Sequence, residues 1–221
     1  MSQQISFDRF NPGFVDVVLD RKLQPEDKIL KSVRQYCREE GLPDIEVSAQ
    51  QGKMLELLVR TAKARRVLEI GTLGGYSTIC LARGAGADGS VTTLEYEPSH
   101  AKVARANLSY AGVLDRTTIV IGDAHETLSM FPVATSFDFV FIDADKESNL
   151  AYVEWALVLG TDDVTIVVDN VIRDGRVLAP ERPEKLEFID FMSNFELECS
   201  VIQTVGSKGW DGFVLARRRG Q

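Results

Sequence analysis

The sequence predicts an α/β fold, a mostly parallel sheet with helices on both faces and an antiparallel pair at the end. Three observations predict it. From residue 66 onward, short apolar runs alternate with amphipathic stretches of ten or more residues, the pattern of right-handed βαβ units. The runs are near-continuously apolar, as in strands covered on both faces. After residue 182 a helical stretch is followed by two strand candidates, which suit a closing antiparallel pair.

The 221 residues fit one α/β domain, with 1–62 as an N-terminal helical extension and 63–221 as the core. Pro25-Glu26-Asp27 opens a segment where Ile29, Leu30 and Val33 recur at helical spacing up to Gly41. Ser48 is a natural N-cap for a second helix carrying Met54, Leu55, Leu57, Leu58 and Val59. Strands are expected at Val67–Ile70, Val91–Leu94, Thr118–Ile121, Phe137–Ile142 and Val164–Val168. Helices are expected between them near 76–84, 98–111, 125–130 and 146–158. Glu184–Phe195 reads as the last helix, and 196–204 and 212–217 as the final strands, linked by a glycine-rich loop, Gly206–Gly212. No internal repeat or low-complexity segment is visible.

Composition narrows the function classes. A hydrophobic fraction of 44% is ordinary for a protein with a real core. The net charge of -8 argues against a broad nucleic-acid-binding surface. Arg217, Arg218 and Arg219 read as a solvated basic end. Cys37, Cys80 and Cys199 contain no C-x-x-C pair, so neither a disulfide framework nor a structural zinc site is expected, and a reducing compartment is. No apolar run approaches the roughly 18 residues of a membrane span. Met1–Ser6 lacks the pattern of a secretory signal, which leaves a cytoplasmic location as the expectation.

The most informative stretch is Arg66–Ser77, where an apolar strand runs into the glycine turn Gly71-Thr-Leu-Gly-Gly75 and then a helix. N–H groups at such a turn face a ligand, and glycine lets it approach the main chain. Glu69 stands just before the turn, which disfavours a pyrophosphate and favours cationic or hydroxyl groups. In an open α/β sheet, ligands bind beyond the carboxyl ends of the strands. There the strands deliver Glu69, Glu95, Asp123, Asp143, Asp169 and Asn170 to one edge. Glu95 has two readings, an acceptor for both hydroxyls of a ribose or an acid at the start of the helix after Pro98. Together with Glu69 and Asp123, the turn points to a nucleoside-bearing ligand without a phosphate.

Asp143, Asp169 and Asn170 form a second constellation. Two carboxylates and an amide carbonyl are hard oxygen donors, suited to Mg²⁺ and similar divalent ions. The competing reading of Asp169-Asn170 is a simple turn. Asp145 is a further ligand candidate. Lys146, expected on the first turn of a helix, is either a general base facing the metal or an exposed helix lysine. His100 is expected on a helix surface, and His125 at the border of the nucleoside pocket in a structural role. Cys80 and Trp155 read as packing residues. Trp210 either walls a substrate pocket from its loop or packs locally.

These residues resemble the cation-dependent, S-adenosylmethionine-dependent O-methyltransferases, the family that includes catechol and caffeoyl-CoA O-methyltransferases and small bacterial relatives. The resemblance runs from about Val47 to Arg218. It is carried jointly by V-L-E-I-G-T-L-G-G-Y-S (67–77), T-L-E-Y (93–96), I-G-D-A (121–124), F-I-D-A-D-K (141–146), V-V-D-N (167–170) and D-G-F-V-L-A-R-R (211–218). It implies a Rossmann-like class I methyltransferase sheet of seven strands with the last antiparallel. It implies that Glu69, Gly71, Thr72 and Ser77 hold the methionine part of the cofactor, with main-chain help from Val47. Glu95 would take the ribose hydroxyls, Tyr96 would lie beside the adenine, and Asp123 and Ala124 would contact its ring. Asp143, Asp169 and Asn170 match the family's metal ligands, and Lys146 its base. The family is commonly dimeric, with N-terminal helices contributing to the partner contact and the substrate entrance. Ile172-Arg173 stands where plant members have an aromatic-containing stretch, which weighs against a coenzyme A ester acceptor.

The expected reaction is methyl transfer from S-adenosylmethionine to one hydroxyl of a vicinal dihydroxy aromatic small molecule, with a divalent cation, Mg²⁺ above all. One alternative is a methyltransferase acting on hydroxylated uridine in tRNA, against which the acidic balance counts. The other is a nicotinamide-dependent oxidoreductase, disfavoured because Leu73 breaks the G-x-G-x-x-G pattern.

Overall fold

A computed structural model describes residues 11–132, 135–178, 183–194 and 197–218. The segment weighed as a secretory signal, together with Phe195, Glu196 and Arg219, lies outside the described residues.

Three helices come first, α1 (Pro12–Leu23), α2 (Lys28–Glu39) and α3 (Ala49–Thr61). Each begins where a side chain satisfies a free N–H of the first turn. Asn11 accepts from Phe14 at 3.2 Å and Asp27 from Leu30 at 2.9 Å. Ser48 makes the expected cap as a reciprocal box with Gln51, the two bonds measuring 3.2 and 2.9 Å.

The core then alternates as β1 (Arg66–Ile70), α4 (Tyr76–Ala85), β2 (Ser90–Glu95), α5 (Pro98–Tyr110), β3 (Thr117–Ile121), α6 (Ala124–Met130), β4 (Phe137–Ile142), α7 (Asn149–Leu159) and β5 (Gly160–Asp169). It closes with α8 (Pro183–Asn194), β6 (Leu197–Gly206) and β7 (Gly209–Arg218). The seven strands form one sheet in the order β3-β2-β1-β4-β5-β7-β6. Only β7 runs against the others, pairing antiparallel with both β5 and β6. This is the Rossmann-like arrangement expected.

Side chains alternate across the sheet. Val67, Val91, Phe139, Phe141 and Val167 face α2–α5, whereas Leu68, Ile70, Val140, Ile142 and Val168 face α6–α8. β1 and β4 are neighbours whose following helices lie on opposite faces, so a crevice opens beyond their carboxyl ends. Gly71 and Asp143 stand at its lips.

Four expectations need correction. The helix predicted to start at 146 starts at Asn149, because Asp145 Oδ2 accepts the Ser148 N–H at 3.1 Å and holds the intervening residues in a turn. Lys146 therefore sits in a loop. This helix, which contains Trp155, is apolar nearly all round rather than amphipathic, since it packs between the sheet and α8. The loop predicted at Gly206–Gly212 shrinks to Ser207-Lys208, because Val205 pairs with Trp210 and Gly206 with Gly209 in a tight hairpin. Trp210 is thus a strand residue whose Nε1 donates to Gln203 Oε1 at 2.8 Å, and it packs locally over Gly175. Arg217 and Arg218 also belong to a strand rather than a loose end. Arg217 pairs with Asp163 at 2.7 Å, and Arg218 donates to the carbonyls of Leu157 and Thr161.

Among the described residues no helix is long and apolar enough to cross a membrane. Cys37, Cys80 and Cys199 are all free thiols, and Cys80 is core as expected.

Candidate active site

Two cavities open at the carboxyl edge of the sheet. The larger, about 690 Å³, is lined by Gly71–Gly74, Tyr76, Ser77, Glu95–Glu97, His100, Gly122–His125, Asp143–Lys146 and Val47. The second, about 500 Å³, is lined by Asp143, Asp169, Asn170 and Asp211 at its floor and by residues 44–48 and 204–209 at its walls. Ile45, Glu46, Val47, Asp143 and Asn170 belong to both.

Glu95, at the end of β2, binds the glycine turn itself. Its Oε2 accepts from the N–H groups of Thr72 (3.2 Å) and Leu73 (2.7 Å), and its Oε1 from Glu97 N (2.9 Å). A carboxylate has about four lone-pair sites, so Glu95 holds the turn and still retains acceptor capacity toward the cavity. His100 Nδ1 approaches the same Oε1 at 3.5 Å and lines the cavity, so it is not the plain surface residue expected. Tyr96 is exposed at the rim. Asp123 caps α6 through His125 N at 2.8 Å, with Ala124 beside it on the cavity wall. His125 also lines the wall, stacked on Tyr152 at 5.1 Å and bonded to Ser148 Oγ at 2.9 Å.

The Thr72 side chain points away from the cavity and into the protein. Thr72 Oγ1 pairs with Thr93 Oγ1 at 2.5 Å and with the Leu94 carbonyl at 3.1 Å, so its main chain is what meets the cavity. Glu69 is fully buried beneath α4. Its Oε2 accepts from Thr78 and, at 2.7 Å, from Thr93, the residue paired with it on β2, while Oε1 has no partner. Burial raises its pKa to about 7, although the neighbouring hydroxyls of Ser77, Thr78 and Thr93 work the other way. A buried carboxyl oxygen left unpartnered behind Ser77 fits an ammonium group, which the methionine part of the cofactor carries. The Val47 carbonyl receives Arg34 Nη2 at 2.7 Å.

The second constellation comes together on one cavity, Asp143 after β4, Asp169 at the end of β5 and Asn170 just beyond. Asp143 Oδ1 accepts Lys146 Nζ at 2.8 Å, so Lys146 reaches the site from its loop. Burial, and next the charge of Asp143, raise the Asp169 pKa to about 7. Asn170 adopts a left-handed φ of 56°, and its Nδ2 donates to Asp211 Oδ2 at 3.1 Å. Among the described residues no group of three or more His, Cys, Asp or Glu could hold a metal, so the donor set here is two carboxylates and one amide. Two carboxylates that share one cationic partner, Lys146, and an amide carbonyl are hard oxygen donors that fit a divalent cation. Asp145 does not join them. Its Oδ1 accepts the Tyr152 hydroxyl at 2.6 Å, and although burial opposes ionisation, the bonds from Ser148 and Tyr152 hold its pKa below the usual value.

Residues 21–219 match the family model described as O-methyltransferase. The chain belongs to the O-methyltransferase family. It is 52% identical over 211 residues to a catechol O-methyltransferase of Mycobacterium tuberculosis, covering 93% of this chain and 96% of that one. It is 40% identical over 210 residues to a catechol O-methyltransferase of Niastella koreensis, covering 91% and 95%. The crystal structure of the Bacillus cereus O-methyltransferase in complex with SAH superposes with a TM-score of 0.90 at 42% identity, covering 94% of this chain and 98% of that one. In this O-methyltransferase the residues that the sequence reading missed are Asp211, Arg34 and Glu46. Asp211 lies within a quoted motif, but nothing in its local sequence marks it as the partner of Asn170. Arg34 and Glu46 lie in a helix and an irregular segment with no motif of their own.

Proposed function

We propose that this enzyme moves the methyl group of S-adenosylmethionine to one oxygen of a vicinal dihydroxy aromatic small molecule, in a reaction that depends on a divalent cation such as Mg²⁺. The observation that carries the proposal is the shared wall. Asp143 and Asn170, two of the three candidate ligands, line the nucleoside cavity and the smaller cavity at once. The names of the two catechol-methylating relatives support the acceptor class.

The larger cavity is the donor site. Glu69 receives the donor's ammonium, and the main chain of Gly71 and Thr72 faces its methionine part with Ser77 and Val47 alongside. Glu95 takes the ribose hydroxyls, and Tyr96, Asp123 and Ala124 bound the adenine. The bound donor supplies an electrophilic methyl on a sulfonium, which is chemistry the protein only orients. Asp143, Asp169 and Asn170 would hold the cation, which would supply Lewis acidity at this site. Lys146, kept beside the site by its bond to Asp143, takes the proton from the acceptor hydroxyl in its neutral amine form, having first released its own to solvent.

The smaller cavity also speaks about size and charge. Among the described residues, Asp16, Asp44, Glu46, Asp143, Asp169 and Asp211 line it against one basic side chain, Lys208. Such a wall repels phosphates, which disfavours tRNA and coenzyme A esters as acceptors. The test is transfer of labelled methyl from S-adenosylmethionine to a panel of catechols, with Mg²⁺ and with EDTA, beside a tRNA arm. Catechol labelling that EDTA abolishes is the expected result. Undiminished labelling in EDTA overturns the metal dependence, and labelling of tRNA without catechols overturns the acceptor.

A further inference from the structure

We propose that Arg34 is a positioning residue for methyl transfer, one that fixes the wall shared by the donor and acceptor cavities. The proposal rests on the reading of those cavities given above. Arg34 stands on α2 and lines neither cavity. Its guanidinium nevertheless makes three directed bonds that converge on the wall: Nε to Glu26 Oε1 at 2.5 Å, Nη1 to Glu46 Oε1 at 2.7 Å, and Nη2 to the Val47 carbonyl at 2.7 Å. Its face lies over the Tyr76 ring, 3.9 Å from the centroid, and the Tyr76 hydroxyl donates to the same Glu26 oxygen at 3.0 Å. Tyr76 begins α4 and itself lines the donor cavity.

The segment held in this way is irregular. Between the end of α2 and the cap of α3 the chain has no helix or strand to fix it, yet Ile45, Glu46 and Val47 line both cavities. A second side-chain tie of this segment is Lys208 to Asp44 at 3.3–3.5 Å, made at the exposed hairpin tip. The Arg34 tie is different in kind. The side chains of Arg34 and Glu46 are only 14% and 9% exposed, so solvent screens their interaction little. One planar group with fixed donors sets the spacing of Glu26, Glu46, the Val47 carbonyl and the Tyr76 ring together. A lysine, a single point charge on a flexible stem, cannot make that set. Because one wall serves both ligands, its displacement should weaken donor and acceptor binding together and spoil their relative placement. Loss of stability alone would not produce that signature.

The experiment compares wild-type enzyme with R34K and E46Q. S-adenosylhomocysteine affinity is measured by calorimetry, KM and kcat are measured with a catechol and Mg²⁺, and thermal melting is followed for each protein. The wild type must first bind S-adenosylhomocysteine and methylate catechol. Failure there overturns the reading of the cavities, and this proposal with it. Given wild-type binding, R34K should weaken S-adenosylhomocysteine binding and raise the acceptor KM by about tenfold each, with kcat also lower, since small misplacements of reacting groups are costly. E46Q, which keeps the wall's bulk but replaces the ion pair with a neutral and weaker hydrogen bond, should show the same pattern to a smaller degree and keeps the test decisive if R34K does not fold. Wild-type affinity and KM in folded R34K, or in E46Q when R34K is unfolded, overturn the proposal even if the melting temperature falls.

Discussion

Asn170 is oriented by Asp211. Its Nδ2 donates to Asp211 Oδ2 at 3.1 Å, which turns its carbonyl oxygen away from Asp211. The other oxygen of Asp211 accepts the N–H groups of Ile172 (3.1 Å), Arg173 (2.9 Å) and Gly212 (2.8 Å), so one carboxylate ties the loop after β5 to β7 and aims a candidate ligand. Partners of this kind outside the ligand set commonly matter to metal affinity by about 10–100-fold. Asp211→Ala should therefore weaken Mn²⁺ or Mg²⁺ binding in that range. It should also lower stability by about 2–3 kcal/mol, because buried donors lose their acceptor. Metal titration and urea unfolding measure the two effects separately. Unaltered metal affinity in a folded variant would show that Asn170 is not a ligand whose orientation matters.

Lys146 and Asp143 make the next test. Their 2.8 Å contact places the amine beside the proposed cation site, although the lysine belongs to a loop. Lys146→Met removes the base, and Lys146→Arg keeps the positive charge on a group that does not lose its proton in proteins. Both should lower kcat by about 10²–10⁴-fold, the usual contribution of a positioned base, with S-adenosylhomocysteine affinity little altered. An Arg variant with near-normal kcat would make the residue an electrostatic partner of Asp143 rather than a base.

The sheet was legible because β1, β4 and β5 each carry a short, mostly apolar run, Val67–Ile70, Phe137–Ile142 and Val164–Val168, separated by helix-length stretches. Ser48 was legible because its cap is local. The end of the chain was not, because Gly206–Gly212 has loop composition while Val205 and Trp210 pair across a hairpin that only long-range register creates. The first turn of α7 was misread for a local reason, the competition of Asp145 for the Ser148 N–H. At the site, residues at strand ends could be collected from the sequence, but the direction of a side chain could not. Thr72 faces inward to Thr93, and Glu69 lies behind the wall, on the face of the sheet that its alternation with Leu68 and Ile70 dictates.

Glu69 ties stability to pH with a definite sign. Its folded pKa is raised from the ordinary 4.5 to about 7, mainly by burial. Between those values the unfolded chain has released the proton and the folded chain keeps it. Stability attributable to this group is therefore full below the unfolded value, falls as pH rises through the window, and levels off above about 7. Donor binding should run the opposite way, because an ammonium prefers the ionised carboxylate. S-adenosylhomocysteine affinity should increase as pH passes about 7. Glu69→Gln should flatten both curves and weaken the donor at high pH. Calorimetry and unfolding between pH 5 and pH 8.5, chosen to bracket about 7, check both slopes. A pH-independent affinity in wild type would remove Glu69 from the donor site.

Gly71 couples the two ligand sites through backbone contact. Its φ of +100° is a conformation that L side chains rarely adopt, and a Cβ there would fall on the Asp143 carbonyl oxygen and 2.8 Å from its carbonyl carbon. Neither group is a flexible side chain that could swing aside. Gly71→Ala must therefore push the glycine turn and the end of β4 apart, which disturbs the donor cavity and displaces Asp143 together. Gly75 is a control in the same turn. Its φ of +82° is also left-handed, but a Cβ would meet Ala104 Cβ at 3.4 Å, an ordinary contact. Both substitutions should cost about 1–3 kcal/mol of backbone strain. Only Gly71→Ala should also weaken S-adenosylhomocysteine and metal binding together, by about tenfold or more, as calorimetry with each ligand would show. Equal losses in the two variants would mean that strain in the turn, rather than the meeting of Gly71 with Asp143, links the sites.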